Sequence, residues 1–188
     1  MPEYRRFTVP GSTVFLTLVT GRREPLFADP LNVERLKSAL CAVRGEWPFE
    51  VAAGVVLPDH LHFLWTLPPG DAAYSKRAGR MKVKFTSQLD ERLPVARASQ
   101  VKHRESGVWQ RRFWEHTIRD EDDFLRHLDY IHYNPVRHGY ATCPPAWPHS
   151  SFAKWVGTGD CVADWGCSCG GRPVNVPAHD DIVARAGE

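Results

Sequence analysis

Residues 49–67 read FEVAAGVVLPDHLHFLWTL, with two apolar runs on either side of Pro58-Asp59. Runs of this length that are rich in valine, leucine and aromatic residues are typical of strands, and a Pro-Asp pair favours a tight turn. We therefore predict an antiparallel hairpin pair, with one strand over about 49–57 and the other over about 60–67. The Pro-Pro-Gly stretch at 68–70 ends the second strand.

The segments around this hairpin predict further strands and helices. TVFLTLVT at 13–20 alternates in the manner of a strand whose two faces are both at least partly covered. Apolar residues recur at helical spacing over about 29–47, where Asp29 is a suitable N-cap and Pro30 a suitable first residue. Further along the chain we expect a helix over about 72–93, a short strand over 113–118, and a helix that follows the N-cap Asp120 and is stopped or kinked by Pro135.

The element order β-α-β-β-α-β-α matches an α+β, ferredoxin-like fold, in which an antiparallel sheet has helices packed on it. After Gly139 the chain is rich in proline and glycine, so we expect an irregular, extended C-terminal tail without a core of its own. Four aromatic residues would pack this tail onto the domain: Trp147, Phe152, Trp155 and Trp165.

The composition is that of an ordinary globular domain. With 188 residues, 43% hydrophobic and 24% charged, the chain fits one domain with a tail and does not fit a disordered protein. No run approaches the ~20 apolar residues of a membrane helix, and no apolar signal core follows the N-terminal arginines, so we expect a cytoplasmic protein. Five cysteines without a C-x-x-C pair argue against a disulfide framework and a common zinc site.

Basic residues are concentrated in one part of the chain. Residues 74–112 contain 11 Lys and Arg against three acidic residues, although the whole chain has a net charge of only +2. Such a block is either a solvated face or a surface that binds the phosphates of a nucleic acid.

Two histidines lie at the start of the second hairpin strand. Side chains in a strand alternate between its faces, so His60 and His62 share one face and Leu61 points to the other. Two adjacent imidazoles supply half of a metal site. The alternative is that both are strand histidines with ordinary hydrogen-bond partners.

A tyrosine and an asparagine lie on the last predicted helix. Tyr130 and Asn134 are one turn apart, beside the apolar stripe formed by Phe124, Leu128 and Ile131. Where this helix meets the sheet they could converge on the two histidines, with Asn134 as an oxygen ligand and Tyr130 as a nucleophile. The alternative is that Tyr130 is an amphipathic boundary residue and Asn134 a helix C-cap.

These segments together resemble a known family. GVVLPDHLHFLWTLP at 54–68, WQRRFWEHTIRDEDDF at 109–124 and LDYIHYNPVRHG at 128–139 are similar to segments of the single-tyrosine HUH transposases, and most closely of their REP-associated tyrosine transposase branch (IS200-like). The resemblance covers roughly residues 1–155, which we take as the transposase domain. Residues 156–188, including CSCGGRP, depart from the family pattern.

The resemblance implies a reaction and a site. It implies cleavage and joining of single-stranded DNA at REP-type hairpins through a covalent 5′-phosphotyrosine. It assigns Tyr130 as the nucleophile, and His60, His62 and Asn134 as ligands of Mg²⁺ or Mn²⁺. Tyr133 is excluded because the fourth residue after it is Arg137. His127 is a candidate for removing the phenolic proton, although we expect it to be a surface histidine.

The resemblance also implies DNA contacts and leaves alternatives. We expect phosphates to be bound by Arg5, Arg6, Lys82, Lys84, Arg111 and Arg112. Trp109 and Trp114 either stack on bases or pack in the core. The enzyme would act as a monomer or a homodimer. The competing interpretations are a non-catalytic DNA hairpin-binding protein of the same fold and an unrelated metal hydrolase.

Overall fold

The computed structural model describes residues 9–89, 107–168, 176 and 179–186. The strands are β1 (Thr13–Val19), β2 (Glu50–Val56), β3 (His60–Thr66) and β4 (Trp114–Thr117). The helices among the described residues are α1 (Pro30–Glu46), α2 (Tyr74–Thr86), α3 (Glu121–Arg137), α4 (Phe152–Gly157) and α5 (Asp180–Ala186). Short 3-10 turns lie at Gly21–Arg23, Leu26–Ala28 and Pro144–Ala146.

The strands form one sheet in the order β2-β3-β1-β4, and every neighbouring pair is antiparallel. This arrangement confirms the predicted α+β, ferredoxin-like fold with helices packed on an antiparallel sheet. The predicted hairpin is present as β2 and β3, with Val56 paired to Leu61 next to the turn.

One face of the sheet packs against α1 and α2. Val14, Leu16 and Leu18 of β1 point to this face and share a core with apolar residues of both helices. The carboxylate of Asp29 caps α1 by accepting a hydrogen bond from the backbone N–H of Leu31 (2.9 Å), and Pro30 is the first helical residue, as the sequence predicts.

The other face of the sheet packs against α3. Phe15 of β1 lies in a second core with Leu128 and Ile131 of that helix. The Asp120 carboxylate caps α3 by accepting from the backbone N–H of Asp123 (2.8 Å). Every residue of β1 from Val14 to Val19 is therefore buried, which confirms that both faces of this strand are covered.

Pro135 does not stop α3, which continues to Arg137. A proline lacks the N–H that would bond one turn back, but this removes a single hydrogen bond near the end of the helix. The following turn is intact, because the backbone N–H of His138 donates to the Asn134 carbonyl (3.0 Å). The carbonyl of Pro135 accepts from the N–H groups of Tyr140 and Ala141.

The C-terminal segment contains two short helices, α4 and α5, where the sequence predicts extended chain. It packs along β2 as expected from its tryptophans. The indole N–H groups of Trp147 and Trp155 donate to the carbonyls of Val56 (2.9 Å) and Ala52 (3.1 Å). No helix among the described residues is long and apolar enough to cross a membrane.

Candidate active site

His60 and His62 lie on the face of the sheet that α3 covers. Both side chains are buried, and their ring centroids are 5.1 Å apart. The pairing of β3 with β1 places His62 opposite Thr17 and His60 opposite Val19. The strand periodicity therefore brings the two imidazoles together as the sequence predicts.

Each imidazole is held through its Nδ1 atom. His60 Nδ1 lies 2.6 Å from Oδ1 of Asp59, and His62 Nδ1 lies 2.9 Å from Oγ1 of Thr17. The second carboxylate oxygen of Asp59 accepts from Arg23 (2.9 Å). Burial raises the pKa of Asp59, but its hydrogen bonds with His60 and Arg23 outweigh burial and lower the pKa below its usual range. The ionised carboxylate accepts a hydrogen bond from Nδ1 of His60, which makes Nε2 the ring nitrogen suited to bind a metal ion.

The helix α3 places Tyr130 beside this pair. The phenol is 1% exposed, and its ring centroid lies 5.2 Å from that of His62. One turn later Asn134 is fully buried, and one turn after that the ring of His138 lies 5.2 Å from the ring of His60. Residues spaced by four share a helix face. Asn134 therefore lies between Tyr130, which contacts His62, and His138, which contacts His60.

These residues fit a divalent cation. Two imidazoles held through Nδ1 and one carboxamide form a neutral N₂O donor set, which suits Mn²⁺ and leaves coordination positions for a phosphate. Tyr133, the neighbouring tyrosine, points elsewhere: its ring packs against Trp165 of the C-terminal segment at 6.3 Å.

Further histidines surround the nucleophile candidate. His127 is 3% exposed, so the expectation of a surface histidine is wrong. Its Nδ1–H donates to the backbone carbonyl of Asp123 (2.7 Å), and burial lowers its pKa. His179, just before α5, packs its ring against Tyr130 at 5.7 Å, and burial lowers its pKa to about 4.

Sequence reasoning missed His138 and His179. The spacing of four after Asn134 could have indicated His138, but no local pattern indicates His179.

Three of the candidate DNA-binding residues lie near one end of the sheet. The backbone N–H of Gln110 donates to the Val19 carbonyl (2.9 Å), so the exposed Arg111 and Arg112 lie at the same end of the sheet as His60, which pairs with Val19. The ammonium of Lys82 reaches this segment by donating to the Gln110 carbonyl (3.0 Å).

The other candidates are placed differently. Lys84 points to α1 and forms an ion pair with Glu46 (2.7 Å). Arg5 and Arg6 lie outside the described residues. Trp109 is 9% exposed and packs against Phe27 and Phe85, so it belongs to the core.

Comparisons with known proteins identify the family of this chain. The family model "Transposase IS200 like" matches residues 8–134. A REP-associated tyrosine transposase of Escherichia coli (strain K12) is 39% identical over 166 residues, covering 88% of this chain and 91% of the relative. A Haemophilus influenzae protein assigned to the same group is 42% identical over 167 residues, covering 88% of this chain and 94% of the relative.

A solved structure has the same architecture. The structure of a REP-associated tyrosine transposase bound to a REP hairpin superposes with a TM-score of 0.72 at 37% identity, covering 88% of this chain and 91% of that one. The family model and the relatives each span well over half of the chain. The protein belongs to the IS200-like transposases and is a DNA transposase of the REP-associated tyrosine type.

Proposed function

We propose that this protein cleaves and rejoins single-stranded DNA at REP-type hairpins through a covalent 5′-phosphotyrosine on Tyr130. The observation that carries the proposal is the buried contact between Tyr130 and His62, with Asn134 and His60 on the same side of the sheet. A noncatalytic hairpin-binding protein would need a basic surface but no phenol beside paired imidazoles.

In this proposal His60, His62 and Asn134 hold one divalent ion, Mg²⁺ or Mn²⁺. The bound ion would polarise the scissile phosphate as a Lewis acid. Asp59 and Thr17 keep the two imidazoles oriented through their Nδ1 atoms. Imidazole nitrogens favour Mn²⁺ over Mg²⁺, so we expect Mn²⁺ to support activity at least as well.

The phenolic oxygen of Tyr130 forms a bond to phosphorus, and the bond from phosphorus to the 3′ oxygen breaks. The phenol loses its proton and the departing 3′ oxygen gains one, so the products are a 5′-phosphotyrosine and a free 3′ hydroxyl. Attack of a 3′ hydroxyl on the phosphotyrosine reverses the step and rejoins DNA. The phosphoester energy is conserved, so no nucleotide cofactor is required.

The DNA would reach the site from the end of the sheet that carries Arg111, Arg112 and Lys82. These cations lie at the end of β1 next to His60, where they can neutralise phosphates adjacent to the scissile one. The related transposase that was solved with a REP hairpin supports a hairpin as the ligand.

The test uses labelled single-stranded REP hairpins with their flanking bases, incubated with Mn²⁺ or Mg²⁺ and separated on denaturing gels. We expect a metal-dependent band of DNA linked to protein that is lost in Tyr130→Phe and in His60→Ala. The matched control is Tyr133→Phe, which removes the hydroxyl of the neighbouring tyrosine. We expect this variant to keep the band of DNA linked to protein. Binding without an adduct under all conditions would favour the noncatalytic alternative, and an adduct in Tyr130→Phe would contradict the assigned nucleophile.

A further inference from the structure

A second group of potential metal ligands lies between β4 and α3, apart from the proposed catalytic ligands. His116, Asp123 and His127 each offer a ligand atom, and these atoms all lie within 4.8 Å of one another. His116 Nε2 lies 2.7 Å from Asp123 Oδ2, and His127 Nδ1 lies 3.3 Å from Asp123 Oδ1. All three are less than one-fifth exposed.

This group cannot share an ion with the His60–His62 pair. His116 lies on β4 and the pair lies on β3, and these strands flank β1 on opposite sides. Two strand spacings separate them by roughly 10 Å, far beyond the ~4 Å that one ion can bridge between two ligands. Phe15 of β1, which pairs with His116, places its ring against both His62 (5.4 Å) and His127 (4.8 Å).

The two imidazoles are held in place by stacking and by hydrogen bonds. The rings of His116 and His127 are stacked with centroids 4.8 Å apart and an interplanar angle of 11°, and the Trp114 ring stacks on His116 at 8°. His127 donates its Nδ1–H to the Asp123 carbonyl, the type of contact that fixes a ligating histidine with its lone pair on Nε2. These contacts order the side chains as a hydrogen-bonded network. An ion would replace the proton between His116 Nε2 and Asp123 Oδ2, and the two rings would tilt from their parallel stacking, because the lone pair of an imidazole lies in the plane of its ring.

The protonation states also suit a cation. Although burial raises the pKa of Asp123, its hydrogen bonds with Arg119 and His116 hold the pKa well below its usual range, so the carboxylate is ionised. Burial lowers the pKa of His127, which keeps that ring neutral. The Arg119 side chain donates to Asp123 Oδ2 (3.1 Å), but it is 67% exposed and can turn into solvent. The backbone N–H of Arg119 also donates to Oδ2 (3.0 Å), so Oδ1 is the carboxylate oxygen better placed for an ion.

The group also borders a cavity of about 10 Å³, which has room for one ion or one water. The three proposed ligands line it together with Trp114 and Arg119, and with Asp181 and Ile182 of α5.

From this geometry we propose that His116, Asp123 and His127 bind a second divalent cation, Zn²⁺, as a structural site. Two imidazoles and a carboxylate form a common zinc donor set with a fourth position for water. Asp123 and His127 precede Tyr130 on α3, and His116 belongs to β4. The ion would therefore fasten the helix that carries the nucleophile to the edge of the sheet.

The test measures zinc by equilibrium dialysis in a His60→Ala/His62→Ala background, which removes the catalytic ligands. We expect one Zn²⁺ per chain in this background and none after His116→Ala/His127→Ala is added. His149→Ala is the matched control, since it removes an imidazole elsewhere and leaves the ion. Bound Co²⁺ should show the visible bands of tetrahedral nitrogen and oxygen ligation, without the near-ultraviolet thiolate band that the tail cysteines would give.

Circular dichroism checks that each variant is folded. If the fourfold variant is not, Asp123→Asn in the same background preserves the side-chain shape, and we expect its zinc affinity to fall at least tenfold. Absence of zinc in His60→Ala/His62→Ala, or zinc affinity unchanged by Asp123→Asn, would overturn the proposal. Because neither reading depends on DNA cleavage, the result is independent of the proposed function.

Discussion

Thr17 orients His62 through a single hydroxyl group. Its Oγ1 lies 2.9 Å from His62 Nδ1, and both side chains are fully buried between the sheet and α3. No water can replace the hydroxyl in such packing without opening the core, so the orientation of the ring depends on this contact. When a metal-binding histidine loses the partner of its second ring nitrogen, its metal affinity typically falls by ~10–100-fold.

We therefore predict that Thr17→Val weakens Mn²⁺ binding by ~10–100-fold with little change in fold. Valine has nearly the shape of threonine but carries a methyl group in place of the hydroxyl, so His62 Nδ1 loses this hydrogen-bond partner. Calorimetric titration with Mn²⁺ measures the effect. Thr13→Val on the same strand is the matched control, because it removes a hydroxyl that lies 2.8 Å from Thr66 Oγ1, at the far end of β1 from the histidine pair. Equal Mn²⁺ affinities in the two variants would contradict the role of Thr17.

Asp71 is predicted to stabilise the fold in a pH-dependent way. Its carboxylate accepts from the buried Arg77 at 2.6 and 3.0 Å, and this hydrogen bonding holds the pKa of Asp71 below its usual range. A carboxyl whose pKa is lower in the folded state contributes stability above its unfolded pKa of about 3.9, and the contribution is lost as the pH falls through the folded value.

Asp71→Asn should therefore reduce the free energy of unfolding at pH 7 by about 1 kcal/mol, a modest figure because the carboxylate is partly exposed and screened. The difference from the unmodified protein should shrink as the pH drops below about 4. Urea denaturation across this range measures it. Glu34→Gln, in an exposed pair with Lys37, should have almost no effect at any pH. A loss that is independent of pH would contradict the ionic origin.

At the scale of elements, the strands and the three long helices were predictable, whereas the two short C-terminal helices were not. The strands β1, β2 and β3 and the helix α1 have seven or more residues each, long enough for a sequence pattern, and the period of two alone places His60 beside His62. The helices α4 and α5 have six and seven residues, too few for a helical pattern, and form where their aromatic and aliphatic side chains pack. Burial of His127 and the approach of His179 to Tyr130 arise from tertiary packing, which local spacing does not encode.

Two glycines in different elements should respond oppositely to the same substitution. A Cβ at Gly21 would lie 1.9 Å from the Gly107 carbonyl oxygen, a backbone atom that cannot turn away. A Cβ at Gly45, in the last turn of α1, would meet nothing within 4 Å. Gly21→Ala must therefore separate the end of β1 from the segment that leads to β4, whereas Gly45→Ala only improves helix propensity.

We expect Gly21→Ala to lower the free energy of unfolding by about 1–3 kcal/mol, as overpacking does, and Gly45→Ala to raise it by up to about 1 kcal/mol. Urea denaturation of both variants measures the two signs. The close approach at Gly21 would be contradicted if its alanine variant were as stable as the unmodified protein.

On the scale of the whole molecule, the C-terminal segment completes the core that surrounds Tyr130. Ile182 of α5 is 3% exposed and shares a cluster with Leu128, Tyr130 and Ile131 of α3. Arg126 of α3 pairs with Asp181 at 2.6 Å beside it. This contact crosses the domain boundary that the sequence predicts after residue 155, so the tail and the domain share apolar packing.

Because this packing is shared, Ile182→Ala should destabilise the whole fold and not the tail alone. Truncating a buried isoleucine typically costs 2–5 kcal/mol, and we expect about 2 kcal/mol here because a seven-residue helix at the surface can partly collapse into the cavity. Val162→Ala, in the same segment but 66% exposed, should change stability by less than about 0.5 kcal/mol. Urea denaturation followed by the near-ultraviolet signal of the buried aromatic residues measures both. Equal stabilities would mean that the tail lies on the domain without stabilising it, and that the core around Tyr130 is complete without α5.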